Sequence, residues 1–222
     1  MKKRRRLPLL LLFSLLFTSC ASLVDQLGFD TYDYMSEPVI RTHSAGGEVA
    51  KELEDFLSIL ILDSEDLPTF ERTGDAIREY RDAVLTFMLK SGYSKYSGNT
   101  ALIARAEREY PQYSITQIIP EDEFEATMYQ YFGGDVKITH RDGDRFTYLS
   151  KVNAYVSPMM PEESGLTATI TKLEETERTY RIRFRVVDPN GTSSDLYFAL
   201  VIKREDGTRY IKKLLLASEV GE

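Results

Sequence analysis

Residues 179–187 read Thr179-Tyr180-Arg181-Ile182-Arg183-Phe184-Arg185-Val186-Val187, with apolar side chains at the even positions and arginines at three odd ones. A period of two is the pattern of a half-buried β-strand, because successive side chains leave opposite faces of the pleat. Three similar stretches accompany it, so that strands are predicted over about 166–173, 179–187, 195–204 and 208–216. Turn chemistry separates them, including Asp188-Pro189-Asn190-Gly191 and Asp206-Gly207. Links this short predict an antiparallel meander. Its expected inward set is Leu166, Ala168 and Ile170; Tyr180, Ile182, Phe184 and Val186; and Leu196, Phe198, Leu200 and Ile202.

Upstream of residue 133 the apolar period is helical. Val49, Leu53, Phe56, Leu57 and Leu60 predict one helix ending near Asp63-Ser64. Ile77, Tyr80, Val84, Phe87 and Met88 predict a second, from about Gly74 to Ser91, with Lys90 at its C-terminal dipole and Gly92 as its stop. Thr100 is the expected cap of a shorter helix ending before Pro111. Pro120-Glu121-Asp122-Glu123 opens another, whose core face is Phe124, Met128, Tyr131 and Phe132 and whose end is Gly133-Gly134. Between these helices and the meander, residues 136–140 and 146–149 flank Asp142-Gly143 as a predicted hairpin, and residues 152–156 form a further short strand.

Helices first and an antiparallel sheet last predict an α+β domain with the helices packed on one sheet face. Over roughly residues 48–217 this order resembles the cystatin-like and nuclear-transport-factor-2-like (NTF2-like) folds, which implies a curved sheet wrapped around helices. It is also similar to uncharacterised lipoproteins of Gram-positive bacteria.

The ends of the chain differ in character. The chain has 222 residues, 42% hydrophobic and 28% charged, a globular composition that excludes global disorder and fibrous repeats. The net charge of −7 conceals a basic leader, Lys2, Lys3, Arg4, Arg5 and Arg6. The rest carries 23 positive and 35 negative side chains, or −12, which argues against nucleic acid as a partner. An apolar run from Leu7 to Phe17 follows the leader, the layout of a secretory signal peptide over 1–19. Its 11 residues are too few to span about 30 Å of hydrocarbon.

The chain's one cysteine comes next, in Phe17-Thr18-Ser19-Cys20, which resembles the lipobox of bacterial lipoproteins. The resemblance implies cleavage between Ser19 and Cys20 and a diacylglycerol on the Cys20 thiol, with palmitate among its expected chains, and leaves open whether the new amino group is acylated too. Two chains anchor stably where one does not. The expected location is the extracytoplasmic side of the cell membrane or outer membrane. Residues 20–48, interrupted by Gly28, Pro38, Gly46 and Gly47, are expected to be a tether reaching about 30 Å as a coil, with His43 solvated in it. Residues 49–218 are the expected single domain.

Catalytic patterns fail one by one. His140-Arg141-Asp142-Gly143-Asp144 has the letters of a kinase catalytic loop but none of its partner motifs, and two acids are too few for calcium. His140 remains a possible general base if it lines a pocket. Glu121, Asp122, Glu123 and Glu125 share a helix start and are explained by its dipole. With the only thiol assigned to lipid, no cysteine nucleophile remains, and no cofactor or metal site is expected.

Two binding surfaces are expected instead. Arg181, Arg183 and Arg185 share one strand face, beside Thr167, Thr169 and Thr171 of the preceding strand, and would suit an anionic partner. Tyr93 and Tyr96, in a loop of small polar residues, would suit protein or glycan contacts. The leading expectation is a lipid-anchored envelope protein whose domain binds an envelope protein or glycan without catalysis. An envelope hydrolase with a pocket between sheet and helices, and a structural subunit of an envelope assembly, stand as the alternatives.

Overall fold

The computed structural model describes residues 32–61, 66–134, 137–157 and 164–220. The signal peptide, Cys20 and the first part of the tether lie outside the described residues. The chain divides into two units, Met1–Met35 and Ser36–Glu222. Of the first, Tyr32 and Tyr34 meet edge to face, with ring centroids 4.7 Å apart.

The second unit is α+β, with six helices and two antiparallel sheets among the described residues. The helices are α1 (Glu48–Leu57), α2 (Thr73–Glu79), α3 (Arg81–Ser91), α4 (Tyr93–Ser97), α5 (Thr100–Glu109) and α6 (Glu121–Phe132). The strands are β1 (Arg41–His43), β2 (Ile119–Pro120), β3 (Thr147–Leu149), β4 (Ala154–Val156), β5 (Thr167–Glu175), β6 (Thr179–Val187), β7 (Tyr197–Lys203) and β8 (Arg209–Leu216). Five of them order as β1-β5-β6-β7-β8, and the other three as β2-β4-β3. No described helix is long and apolar enough to cross a membrane.

The meander forms as its turn residues require, with Gly191 and Gly207 at φ +84° and +83°. Its far edge is closed by Phe70, whose N–H and C=O exchange hydrogen bonds with Leu214 at 2.7 and 2.9 Å. Helices α1 and α6 pack on one face, where Leu53, Leu57, Phe124, Met128 and Phe132 join Leu173, Ile182, Phe184 and Leu214 in one core. A second core of Ala106, Ile115, Ile118, Leu149, Val152, Ala154 and Val156 ties α5 to the small sheet.

The inward set on β7 is the reverse of the expected one. Pairing of Phe184 with Tyr197 and of Ile182 with Ala199 brings Tyr197, Ala199 and Val201 to the core. Phe198, Leu200 and Ile202 therefore share the other face with Arg183, Arg181 and Thr179. Tyr197-Phe198-Ala199-Leu200-Val201-Ile202 is apolar throughout, so its composition carries no phase, and only the register decides it. Long arginine stems beside these residues can cover apolar surface while the charged heads stay wet.

Three other expectations change. The helix expected over Gly74 to Ser91 breaks at Tyr80 (φ −100°, ψ 12°), whose ring packs between Phe70 and Phe132 while its hydroxyl donates to Pro68 O at 2.7 Å. Asn99, not Thr100, caps α5, its side chain accepting from Leu102 N at 3.3 Å. The predicted 136–140/146–149 hairpin is replaced by pairing of β3 with β4, with residues 135 and 136 outside the described set. The Asp142-Gly143 turn does form, Gly143 N donating to Phe146 O at 2.8 Å. The carbonyls of Thr139 and Asp142, however, face the Arg81 guanidinium in place of a partner strand.

The expected tether also ends sooner than residue 48. Arg41, Thr42 and His43 pair with Glu175, Glu174 and Leu173 as an edge strand. Burial of Glu37 fastens the approach to that strand.

Candidate functional sites

Three clusters concentrate the chemistry of the described residues. The first is the sheet face that carries the arginine row. Its three members have different surroundings. Arg181 Nη2 donates to Glu37 O at 2.7 Å, and Arg185 Nη1 donates to Ser194 O at 2.5 Å. The Arg183 guanidinium has no hydrogen-bond or carboxylate partner among the described residues. A bulge between Ile170 and Lys172 sets Lys172 opposite Arg183, and leaves only Thr169 of the three threonines directly opposite an arginine, Arg185. Thr171 turns its hydroxyl to Arg183 O at 3.1 Å.

Arg183 and Arg185 line a cleft of about 510 Å³ where β6, β7 and β8 end. Asp195 and Ser218 supply its other polar side chains, and Leu196, Leu216, Ala217 and Val220 its apolar wall. The cleft is in the size range of small-ligand sites. Alternation in the sequence marks the two arginines; Leu216 is brought there by the register of β8, and Val220 by the 3-10 turn Ala217–Glu219 that follows it, neither of which the sequence pattern carries.

The second cluster surrounds His140. Its Nε2 lies 3.0 Å from Glu125 Oε1 and 3.8 Å from Glu121 Oε2, and its Nδ1 lies 3.0 Å from the Tyr155 hydroxyl. Tyr148 stacks on the imidazole at 5.1 Å and hydrogen-bonds Glu121. The spacing of Glu121 and Glu125, four apart on α6, turns both toward the ring. Burial pushes the Tyr155 phenol up to about 12 against the opposing pull of the Arg81 charge and the Arg141 N–H. Burial, then the bond to Glu121, raises Tyr148 as well.

The direction of these bonds follows from the acceptor. An ionised Glu125 carboxylate can only accept, so Nε2 carries its proton toward it, and in the neutral ring Nδ1 then accepts from the Tyr155 phenol. Carboxylate, imidazole and phenol thus stand in the order of a proton relay, but both ring nitrogens are occupied. His140 lines neither the arginine cleft nor the cleft of about 480 Å³ around Arg81 and Arg141. The cluster's evident role is to pin residues 139–142 to α6 and β4.

The third cluster fixes the start of the domain to the sheet. Thr176 Oγ1 donates to Glu37 Oε2 at 2.5 Å. Beside it His43 Nε2 meets Glu175 Oε2 at 2.8 Å, and Lys203 Nζ meets Glu175 Oε1 at 2.9 Å. Burial pushes the Glu175 carboxyl up, but the His43 and Lys203 hydrogen bonds outweigh it and hold the group below the usual glutamate range. His43, expected in solvent, is thus largely enclosed, because β1 carries it onto the sheet edge.

The tyrosine pair is divided. Residues 93–97 form a short helix, not a loop, that leaves Tyr93 52% exposed and Tyr96 only 6%. The Tyr96 ring lies so close to Gly92 that a Cβ there would sit 2.6 Å from it. Tyr96 is a packing residue; Tyr93 alone is available to a partner. Among the described residues no group of three or more His, Cys, Asp and Glu side chains could hold a metal ion. No protein-family model matches the chain, and no curated protein or solved structure is significantly similar to it.

Proposed function

We propose that this chain is a lipid-anchored cell-envelope protein, held by Cys20, whose α+β domain binds an anionic partner through the arginine-bearing sheet face and catalyses no reaction. The observation that carries the binding part is the guanidinium of Arg183, without a partner among the described residues and half-buried beside Arg185 over a cleft. A cation kept unpaired in a unit rich in carboxylates is a ready receptor for negative charge. The anchor rests on the basic leader, the short apolar run and the position of the one cysteine.

Photo-crosslinking in the native envelope tests the binding part. Crosslinks from residues flanking Arg183 should be lost in Arg183→Glu and kept in Tyr93→Ala; crosslinks unchanged in Arg183→Glu overturn it. For the anchor, Cys20→Ala should move the protein out of the membrane fraction and abolish palmitate labelling, and retention of both would refute it. A turnover abolished by His140→Ala would establish the hydrolase in its place.

A further inference from the structure

The cleft beside Arg183 combines features that narrow its ligand. We infer that it receives the C-terminal end of a polypeptide, with the terminal carboxylate on Arg183 and an aliphatic side chain against Leu216 and Val220. The inference rests on the arginine face being the binding surface and adds the class of ligand.

Arg183 offers a planar fork of N–H donors that matches a carboxylate. Arg185 has one arm fixed on Ser194 O, which orients its guanidinium at the cleft and leaves its other donors for the same anion. Among the described residues the wall is aliphatic, from Leu196, Leu216, Ala217 and Val220, and no aromatic ring lines it. A sugar or base seeks an aromatic platform, whereas an aliphatic side chain is satisfied by this wall. Asp195 bears on the choice between anions. It lines the same cleft, and its charge repels a phosphate dianion about twice as strongly as a carboxylate monoanion, while a peptide also presents N–H groups from which Asp195 can accept. The volume of about 510 Å³ suits the last one or two residues of a chain.

The test uses the full chain in detergent micelles and a fluorescein-labelled pentapeptide ending in Ala-Leu, as free acid and as C-terminal amide. Anisotropy should show saturable binding of the acid. Amidation should weaken binding about tenfold or more, the scale of one charge-assisted hydrogen bond. Arg183→Gln should do the same, Arg183→Lys should recover part of the loss, and Val220→Asp should weaken the acid through the wall. Equal binding of acid and amide, no binding of either, or competition by inorganic phosphate as strong as by unlabelled acid would overturn the inference. Those results together with crosslinks still lost in Arg183→Glu would remove only the ligand class. Crosslinks that persist in Arg183→Glu would remove the docking face itself.

Discussion

The Thr176 hydroxyl donates to the Glu37 carboxylate across 139 positions of sequence, at 2.5 Å and out of solvent. Glu37 receives further support from Arg178, whose Nε stands 3.8 Å from Oε1. The bond lies where the chain leading from the proposed anchor first becomes part of the sheet.

Glu37→Ala should therefore loosen the lead-in strand before it unfolds the domain. Loss of a buried, charge-assisted hydrogen bond costs about 1–3 kcal/mol, reduced here because Thr176 can turn to Thr179 O at 3.4 Å. Limited proteolysis should show faster cleavage between residues 37 and 47, with the midpoint of urea unfolding lowered. Unchanged cleavage would mean that β1 holds without the latch.

Glu175 gives the same edge an acid sensitivity. Its folded-state affinity for a proton is depressed by His43 and Lys203. A depressed carboxyl contributes stability above its unfolded value, near 4.5, and loses it as pH falls through the lower folded value. Unfolding measured from pH 6 down to pH 3 should show a steep loss beginning below about 4.5. Glu175→Gln should be less stable at pH 6 and show a shallower decline. An identical acid slope in the variant would show that other carboxylates govern it.

At His140, Tyr155→Phe is the discriminating change, since it keeps the ring and removes one oxygen. The imidazole Nδ1 loses its partner, a cost of about 1–3 kcal/mol for a group this enclosed. Denaturant midpoints should fall accordingly, and the residue 139–142 amides should exchange faster. A variant as stable as the parent would free His140 from its structural assignment and reopen general-base chemistry.

What the sequence disclosed follows from where information about a fold resides. Alternation at Arg181, Arg183 and Arg185 defines two faces without any partner strand, so β6 and its arginines are legible. Tyr197–Ile202 is apolar at every position, and its phase exists only in the pairing with β6 and β8. The wall of the cleft was invisible because it joins Leu196 to the end of β8 and to the turn after it, stretches that only the folded chain brings together. The His140 network joins residues 121, 125, 140, 148 and 155, from a helix, a loop and two strands. Only Glu121 and Glu125, one helical turn apart, could be linked in advance. Tyr93 and Tyr96 resemble a loop by composition, and burial of one ring makes that stretch a helix.

The turn at Asp142-Gly143 rests on an aspartate 60 residues away in sequence, and that dependence can be measured. Asp82 Oδ2 accepts from Asp144 N at 2.7 Å and from Arg145 N at 3.1 Å, so one carboxylate holds two turn amides. Gly143 lies against the same carboxylate so closely that an added Cβ would overlap Asp82 Oδ1. Gly143→Ala must then displace either the turn or Asp82, and each route breaks those amide bonds. Asp82→Ala breaks them directly but vacates the space that the new methyl needs. Each single variant should lose about 1–3 kcal/mol. The double variant should lose distinctly less than the two combined, a coupling of at least about 0.5 kcal/mol, because the same interaction cannot be lost twice. Strict additivity in a urea-unfolding cycle would show that the turn stands independently of α3.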